Sequence, residues 1–420
     1  MRTVEYRVLA EGDEPVVTRL GLGVGRRQGR VLAFLALRRE EGEEEPVTGL
    51  RIRLGTGLGR EAVIGALSTL SDRGLLSEST LDSKRSTGGR PPKAWRATED
   101  LAGTIEAADR SNARVLADRA LSMASSGASE ERTGSEPEGA VRLALNWLPN
   151  GLHLPFYAPA VGSDLDLEVR IDHHRGSERS LAAVVDGEAD VGLVGAATLA
   201  RARESGEPVV PLAVVYQRAM TVLYTERERF GEPLTRLDQL EGRRVGMPPD
   251  AESRLLGRLF LAQAGLEGVE TVETEGEEAD ALLSGSADVV TGSVSDPHEL
   301  RAAGETVDVL SIAEHFPIYG PTLAVRPETL RTRREAIERF LVWTIRGWAA
   351  ALENPAAVGG HAADVIGVDD PASLSRTFER AAAEFGESKA SREHGWGHHD
   401  EAGWERLSAA LRHTSFERVT

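Results

Sequence analysis

Cysteine is absent from the 420 residues. That excludes disulfides, thiolate metal sites and cysteine nucleophiles. Lysine is nearly absent too, since only Lys84, Lys93 and Lys389 stand among the 49 basic residues. No apolar run approaches the roughly 20 residues that a membrane-spanning helix requires, so no membrane partner is expected. Residues 1–14 carry charge throughout and hold no apolar stretch of the secretory-signal kind. A cytoplasmic placement is therefore expected.

What is present is acid, with a formal net charge of -18. An acidic, lysine-poor surface fits the salt-rich cytoplasm of halophilic archaea, where dense carboxylates stay solvated; a genome that favours arginine codons is the other reading. The charge is uneven. Residues 1–98 hold 17 Lys and Arg against 13 Asp and Glu, whereas the rest holds 32 against 54. A locally basic module on an acidic chain is what contact with double-stranded DNA requires, because phosphates repel the remainder.

The chain is long enough for a small domain and a two-lobed one. Residues 125–140, SSGASEERTGSEPEGA, lack large apolar side chains and read as a flexible linker between them. Before it, helical spacing predicts helices over 27–39, 47–54 and 60–73, a turn at 55–59, and strands at 75–79 and 94–98 around a polar hairpin. That order predicts a winged helix-turn-helix domain over 1–98. Arg60 opens the second helix of the motif and is the candidate for a base edge. Arg85, Arg90 and Lys93 flank the Gly-Arg-Pro-Pro hairpin and are the candidates for phosphates or a minor groove. A structural winged helix without DNA contact is the competing reading. The helix predicted over 99–124 is expected to connect the domains and to dimerise the chain.

After the linker, short apolar strands alternate with helices. Strands are predicted at 141–145, 168–171, 191–194, 209–215, 222–224, 244–246, 289–291 and 322–325, with helices at 178–186, 251–264, 277–283, 331–352 and 373–387. This predicts α/β architecture with largely parallel pairing.

Here the motifs resemble a known family. VRLALNWLPNGLHLPFYAPAVG at 141–162 resembles the opening strand and loop of the thiamine-pyrimidine-precursor family, the formyl-aminopyrimidine-binding proteins and fungal hydroxymethylpyrimidine synthases. LAAVVDGEADVGLVGAATLARARESGEPVVPLAVV at 181–215, LDQLEGRRVGMPPD at 237–250 and GWGHHDEAGWERL at 395–407 resemble later segments of that family, in the same order. The resemblance implies a type-II periplasmic-binding-protein-like clamp, with lobe 1 from 141–217 and 318–420 and lobe 2 from 218–317. A small planar aminopyrimidine would sit between the lobes. Trp147 offers a stacking face, Asn146 a donor and an acceptor, and His153 and Tyr157 further polar contacts. The small residues Gly195 and Ala196 allow close backbone approach, Asp296 suits an exocyclic amine, and Tyr319 suits the mouth. Each has a plain alternative: Trp147 and Tyr157 as core aromatics, His153 as a structural histidine, and Asp296 as a helix cap before Pro297.

The family's fungal enzymes carry a cysteine-rich iron motif and consume a histidine of the opening motif. Without cysteine, that chemistry is not expected here, and neither are catalytic residues or a cofactor. The pairs His173-His174 and His398-His399 read as solvated rather than as metal ligands. The expected function is a ligand-responsive, dimeric transcription regulator. The alternatives are a protein of thiamine-pyrimidine biosynthesis and the substrate-binding component of an ABC transporter.

Overall fold

A computed structural model describes residues 7–81, 91–124, 139–158, 165–249, 252–266, 268–274, 278–316 and 318–412. Arg85, Arg90 and all but the last two residues of the expected linker lie outside the described residues.

The N-terminal unit begins with α1 (Glu14–Val24), a helix the sequence reading did not anticipate, started by Pro15 in its first turn. Then come α2 (Arg26–Glu40), β1 (Val47–Thr48), α3 (Gly49–Thr56), α4 (Arg60–Asp72), β2 (Leu76–Thr80) and β3 (Lys93–Ala97). The helix expected from residue 47 starts later, because Val47 and Thr48 are extended and pair with Trp95 and Ala94 of β3. The three strands form an antiparallel sheet in the order β1-β3-β2. Val63, Ala66, Leu67 and Leu70 recur on one face of α4 and pack with Leu32, Phe34 and Ile52 into one core. Gly55 permits that packing, since a Cβ there would lie 2.0 Å from the Phe34 ring.

Helix α5 (Leu101–Ser122) leads out of this unit. Its buried face joins the two units, in line with the connecting role expected of it. Ala108 joins the N-terminal core, while Ala113, Leu116, Ala117 and Ala120 join the core of the next domain. The helix is an internal strut. Asp109, fully buried on it, pairs with Arg19 of α1 and lies 3.9 Å from Arg346. Asn112 donates to the Trp396 carbonyl at 2.9 Å and the Leu22 carbonyl at 3.3 Å, and the Trp396 N–H donates to the Leu22 carbonyl at 2.8 Å.

The rest builds two α/β lobes. Lobe 1 contains β4 (Val141–Leu145), β5 (Val169–His173), β6 (Val191–Val194), β7 (Val210–Val214) and a strand supplied later, β13 (Thr322–Val325). Its order is β5-β4-β6-β13-β7. Lobe 2 contains β8 (Thr221–Glu226), β9 (Arg244–Met247), β10 (Glu270–Glu273), β11 (Val289–Ser293) and β12 (Val307–Ser311), in the order β10-β9-β11-β8-β12. In each sheet one strand, β13 or β8, runs against its neighbours. The chain crosses between lobes after β7 and again before β13. Strands β6, β7 and β13 are buried along their whole length, as expected of strands covered on both faces.

Both lobes are locked by the same device. The backbone N–H of Arg142, on β4, donates to Asp190 at 2.8 Å, and its guanidinium follows at 3.1 Å. Arg244, on β9, does the same with Asp288, at 2.8 and 2.7 Å. Each aspartate belongs to an Ala-Asp-Val triplet entering the third strand of its lobe.

Candidate functional site

In open parallel sheets, ligands bind beyond the carboxyl ends of the strands, where loops and helix N-termini converge. The carboxyl ends of β4, β6, β9 and β11 all open onto one cavity of about 430 Å³ between the lobes. Asn146 and Trp147 follow β4, Gly195 follows β6, and Pro248 and Pro249 follow β9. Thr291 and Gly292 lie on β11, with Asp296 just beyond, and Tyr216 and Tyr319 stand at the two crossings.

Six of the eight residues expected to meet a ligand line this cavity: Asn146, Trp147, His153, Gly195, Asp296 and Tyr319. Tyr157 and Ala196 are not among its lining residues; both are buried behind it. Tyr157 has an indirect task. His173 holds the Trp147 carbonyl at 2.6 Å through Nδ1, so Nδ1 carries the proton, and its Nε2 accepts from the Tyr157 hydroxyl. This relay fixes the backbone of Trp147 while leaving the indole 50% exposed. Burial pushes the Tyr157 hydroxyl up to about 12, so it remains a donor. His173, which read as one of a solvated pair, is thus a positioning residue.

His153 lies in the 3-10 segment Gly151–Tyr157, which α/β packing buries against the helix Arg334–Glu353. Gly347 of that helix makes room, because a Cβ there would lie 2.0 Å from the Pro155 carbonyl oxygen. His153 is 2% exposed. Burial, with the neighbouring His173, lowers its pKa to about 3, so the imidazole is neutral. Its Nε2 lies 3.4 Å from Asn146 Oδ1. Its Nδ1 has no hydrogen-bond partner, and neither has the buried Thr291 hydroxyl across the cavity in lobe 2. Buried polar atoms are nearly always satisfied. These two are exceptions among several in the fold, and their residues, His153 and Thr291, both belong to the cavity lining, one from each lobe.

Asp296 does line the cavity, but its carboxylate already accepts from the Ser293 N–H at 2.7 Å and the Ser295 hydroxyl at 3.2 Å. Tyr319 accepts from the Asp400 N–H at 3.2 Å, and its ring lies 5.2 Å from that of Trp404. Among the lining residues that the sequence reading did not single out are Tyr216 and Glu252. Tyr216 is fully buried and donates to the Leu152 carbonyl at 2.9 Å; burial raises its pKa. Glu252 reaches from the start of the helix Glu252–Ala264 to the opposite lobe. It accepts there from the Ala197 and Thr198 amides at 2.8 and 2.9 Å and the Thr198 hydroxyl at 2.6 Å. The only sequence signal for it was its place after the Pro248-Pro249 turn.

His398 and His399, expected to be solvated, are buried. Arg119 donates to His398 Nδ1 at 3.0 Å and the Trp404 indole to His399 Nδ1 at 3.2 Å. Among the described residues, no group of three or more His, Asp or Glu side chains could hold a metal ion. No helix among them is long and apolar enough to cross a membrane. On the N-terminal unit, Arg60 is exposed at the start of α4. Lys93 is instead paired with Glu78 at 2.6 Å across the β2–β3 hairpin, which competes with the expected phosphate contact.

The two sheets, the shared strand order and the cleft between them define a two-lobed, periplasmic-binding-protein-like α/β fold. Residues 163–358 match the family described as NMT1/THI5 like. The chain is similar to the riboflavin-binding protein RibY of Chloroflexus aurantiacus, 24% identical over 284 residues, which covers 65% of this chain and 80% of that protein. Among solved structures it is similar to the alkanesulfonate-binding protein SsuA from Xanthomonas axonopodis pv. citri bound to MOPS. That match has 17% identity and a TM-score of 0.47, over 59% of this chain and 85% of the other. A Candida albicans protein described as having the generic periplasmic binding protein structural fold matches at 12% identity and a TM-score of 0.49, over 67% and 92%.

Proposed function

We propose that this chain binds a small molecule between its lobes and acts, as a cytoplasmic dimer, as a ligand-responsive regulator of transcription. The ligand in this reading is a planar aminopyrimidine of the thiamine-precursor kind, bound without turnover. The observation that carries the binding function is the cavity of about 430 Å³ between the lobes, lined from both sides by residues such as Asn146, Trp147 and His153 on one and Thr291 and Asp296 on the other. A ligand that touches both walls makes its full set of contacts only with the lobes closed around it. Ligand therefore favours one lobe arrangement by its differential affinity.

The regulatory part is supported by the N-terminal unit. Its element order, with a two-stranded hairpin after two helices, is compatible with a winged helix, in which exposed Arg60 would open the helix that enters a major groove. The net positive charge of residues 1–98 is in keeping. The test is a mobility shift of the protein on DNA from its own upstream region, with and without 4-amino-5-hydroxymethyl-2-methylpyrimidine, across a range of KCl concentrations. Failure to bind DNA at any salt ends the regulatory reading.

A second reading, delivery of a solute to a transporter, is favoured by one observation: the similar protein RibY is named as riboflavin-binding. Riboflavin binding without DNA binding would select it.

A further inference from the structure

Helix α7 (Ala196–Glu204), the next after α6 (Ser177–Val185), starts at the cavity wall, directly after Gly195. The first amides of a helix lack partners within it and carry the positive end of its dipole, so they are suited to an oxyanion. In this chain they are already taken. Glu252, from the other lobe, holds the Ala197 and Thr198 amides and the Thr198 hydroxyl. The fit is close: a Cβ at Gly195 would lie 2.3 Å from Glu252 Cδ. Desolvation holds the Glu252 carboxyl above the usual range, opposed by these same hydrogen bonds.

A ligand presenting a carboxylate, sulfonate or phosphate to α7 would have to expel this side chain. That would break three charge-assisted bonds and leave a second carboxylate in the cavity. The rest of the wall gives an anion little help. Among the described lining residues, Arg175 is the one cation, against Glu252, Glu278 and Asp296. His153, also on the wall, is neutral and supplies no positive charge.

We infer that Glu252 is a specificity-determining residue: by filling the N-terminus of α7 it closes the cleft to anionic ligands and selects neutral or cationic, hydrogen-bonding ones. This deepens the proposed function and rests on its assignment of the cavity as the ligand site.

The experiment is calorimetric titration of the full chain with sulfate, for the wild type, Glu252→Ala and Glu252→Gln. Glu252→Ala empties the helix terminus and should bind sulfate at least tenfold more tightly than the wild type. Glu252→Gln keeps the size but turns an amino group toward one of the amides, so it should gain less, in the same direction. It decides the matter alone if circular dichroism shows Glu252→Ala unfolded. Equal sulfate affinity in wild type and variants, including no binding by any, overturns the inference. Titration of the wild type with 4-amino-5-hydroxymethyl-2-methylpyrimidine separates the two readings. If that compound fails to bind while sulfate binds only the variants, the aminopyrimidine reading falls and the role of Glu252 stands. If it binds while sulfate affinity stays unchanged, the reverse holds.

Discussion

Replacing Asn112 by alanine tests whether the N-terminal unit and the clamp move as one. Asn112 is 2% exposed and its amide joins two carbonyls, at Trp396 (2.9 Å) and Leu22 (3.3 Å). The Leu22 carbonyl keeps the Trp396 N–H, whereas the Trp396 carbonyl loses its Asn112 donor. Leaving one buried carbonyl unsatisfied costs about 1–3 kcal/mol. The joint matters because the same turn is tied to the hinge. Gln217, in the first crossing, donates to the His398 carbonyl at 3.1 Å and accepts from Ser388 at 2.9 Å. Rotation at the hinge thus reaches Trp396, and through it the α1–α2 junction. Allosteric couplings are typically about 1–3 kcal/mol, so losing this joint removes a comparable amount. Asn112→Ala should therefore lower the urea unfolding free energy by about 1–3 kcal/mol. It should leave ligand affinity unchanged, because Asn112 does not line the cavity. The effect of ligand on DNA affinity should be lost. Stability within about 0.5 kcal/mol of wild type, with an intact DNA response, would refute the reasoning.

Trp147→Ala should weaken aminopyrimidine binding by about 1–3 kcal/mol, the worth of one stacked ring, with no change in melting temperature because the indole is half exposed; calorimetric titration and a thermal melt check both. His153, His398 and His399 are each lowered to about 3, chiefly by burial, so they are neutral in the fold and protonate in the unfolded chain below about 6.5. Their contribution is full above that pH and is lost as pH falls toward 3, by up to about 1.4 kcal/mol per unit for each; denaturation midpoints that stay flat from pH 7 to 5 would contradict this. Arg60→Ala should cost about 1–3 kcal/mol of DNA binding at the preferred sequence, read by mobility shift, and leave ligand titration untouched. Asp190→Asn should cost about 3 kcal/mol and Asp288→Asn about 1 kcal/mol. Asp190 is nearly inaccessible and also holds Arg333 at 2.7 Å, whereas Asp288 is partly open to solvent; equal losses in urea denaturation would argue against the difference.

Much of the fold was legible because burial writes itself into local pattern. The strands at Val191–Val194 and Val210–Val214 form where continuous apolar runs stand, since strands covered on both faces exclude polar residues. Strand β10, Glu-Thr-Val-Glu, was missed for the same reason in reverse. It sits at the sheet edge, is mostly exposed, and has no apolar run to show. Helix α1 was missed because Gly21 and Gly23 lower its helix propensity, although Val17, Leu20 and Val24 lie on one face and pack into the core. The connecting role of α5 was legible, but not what its apolar face meets: an amphipathic helix shows that a face is covered, but not by what.

The site divides along a similar line. Asn146, Trp147 and Gly195 were readable because each follows directly on a strand whose carboxyl end opens onto the cleft, so sequence adjacency and spatial adjacency coincide. Tyr157 was read as a contact because aromatic and hydroxyl together suit a ligand. Its hydroxyl is spent on His173, and that partner is fixed by the register of β4 beside β5, which places Leu145 opposite His173. Glu252 was unreadable in a stronger sense. Nothing near it in sequence distinguishes it from the many surface acids of a chain with 67 acidic residues. Its meaning comes from a helix terminus more than fifty residues earlier, which only the juxtaposition of the lobes supplies. A residue whose role is to deny a charge to the ligand leaves no motif, because exclusion requires a carboxylate at one point in space and places no demand on its neighbours in the chain.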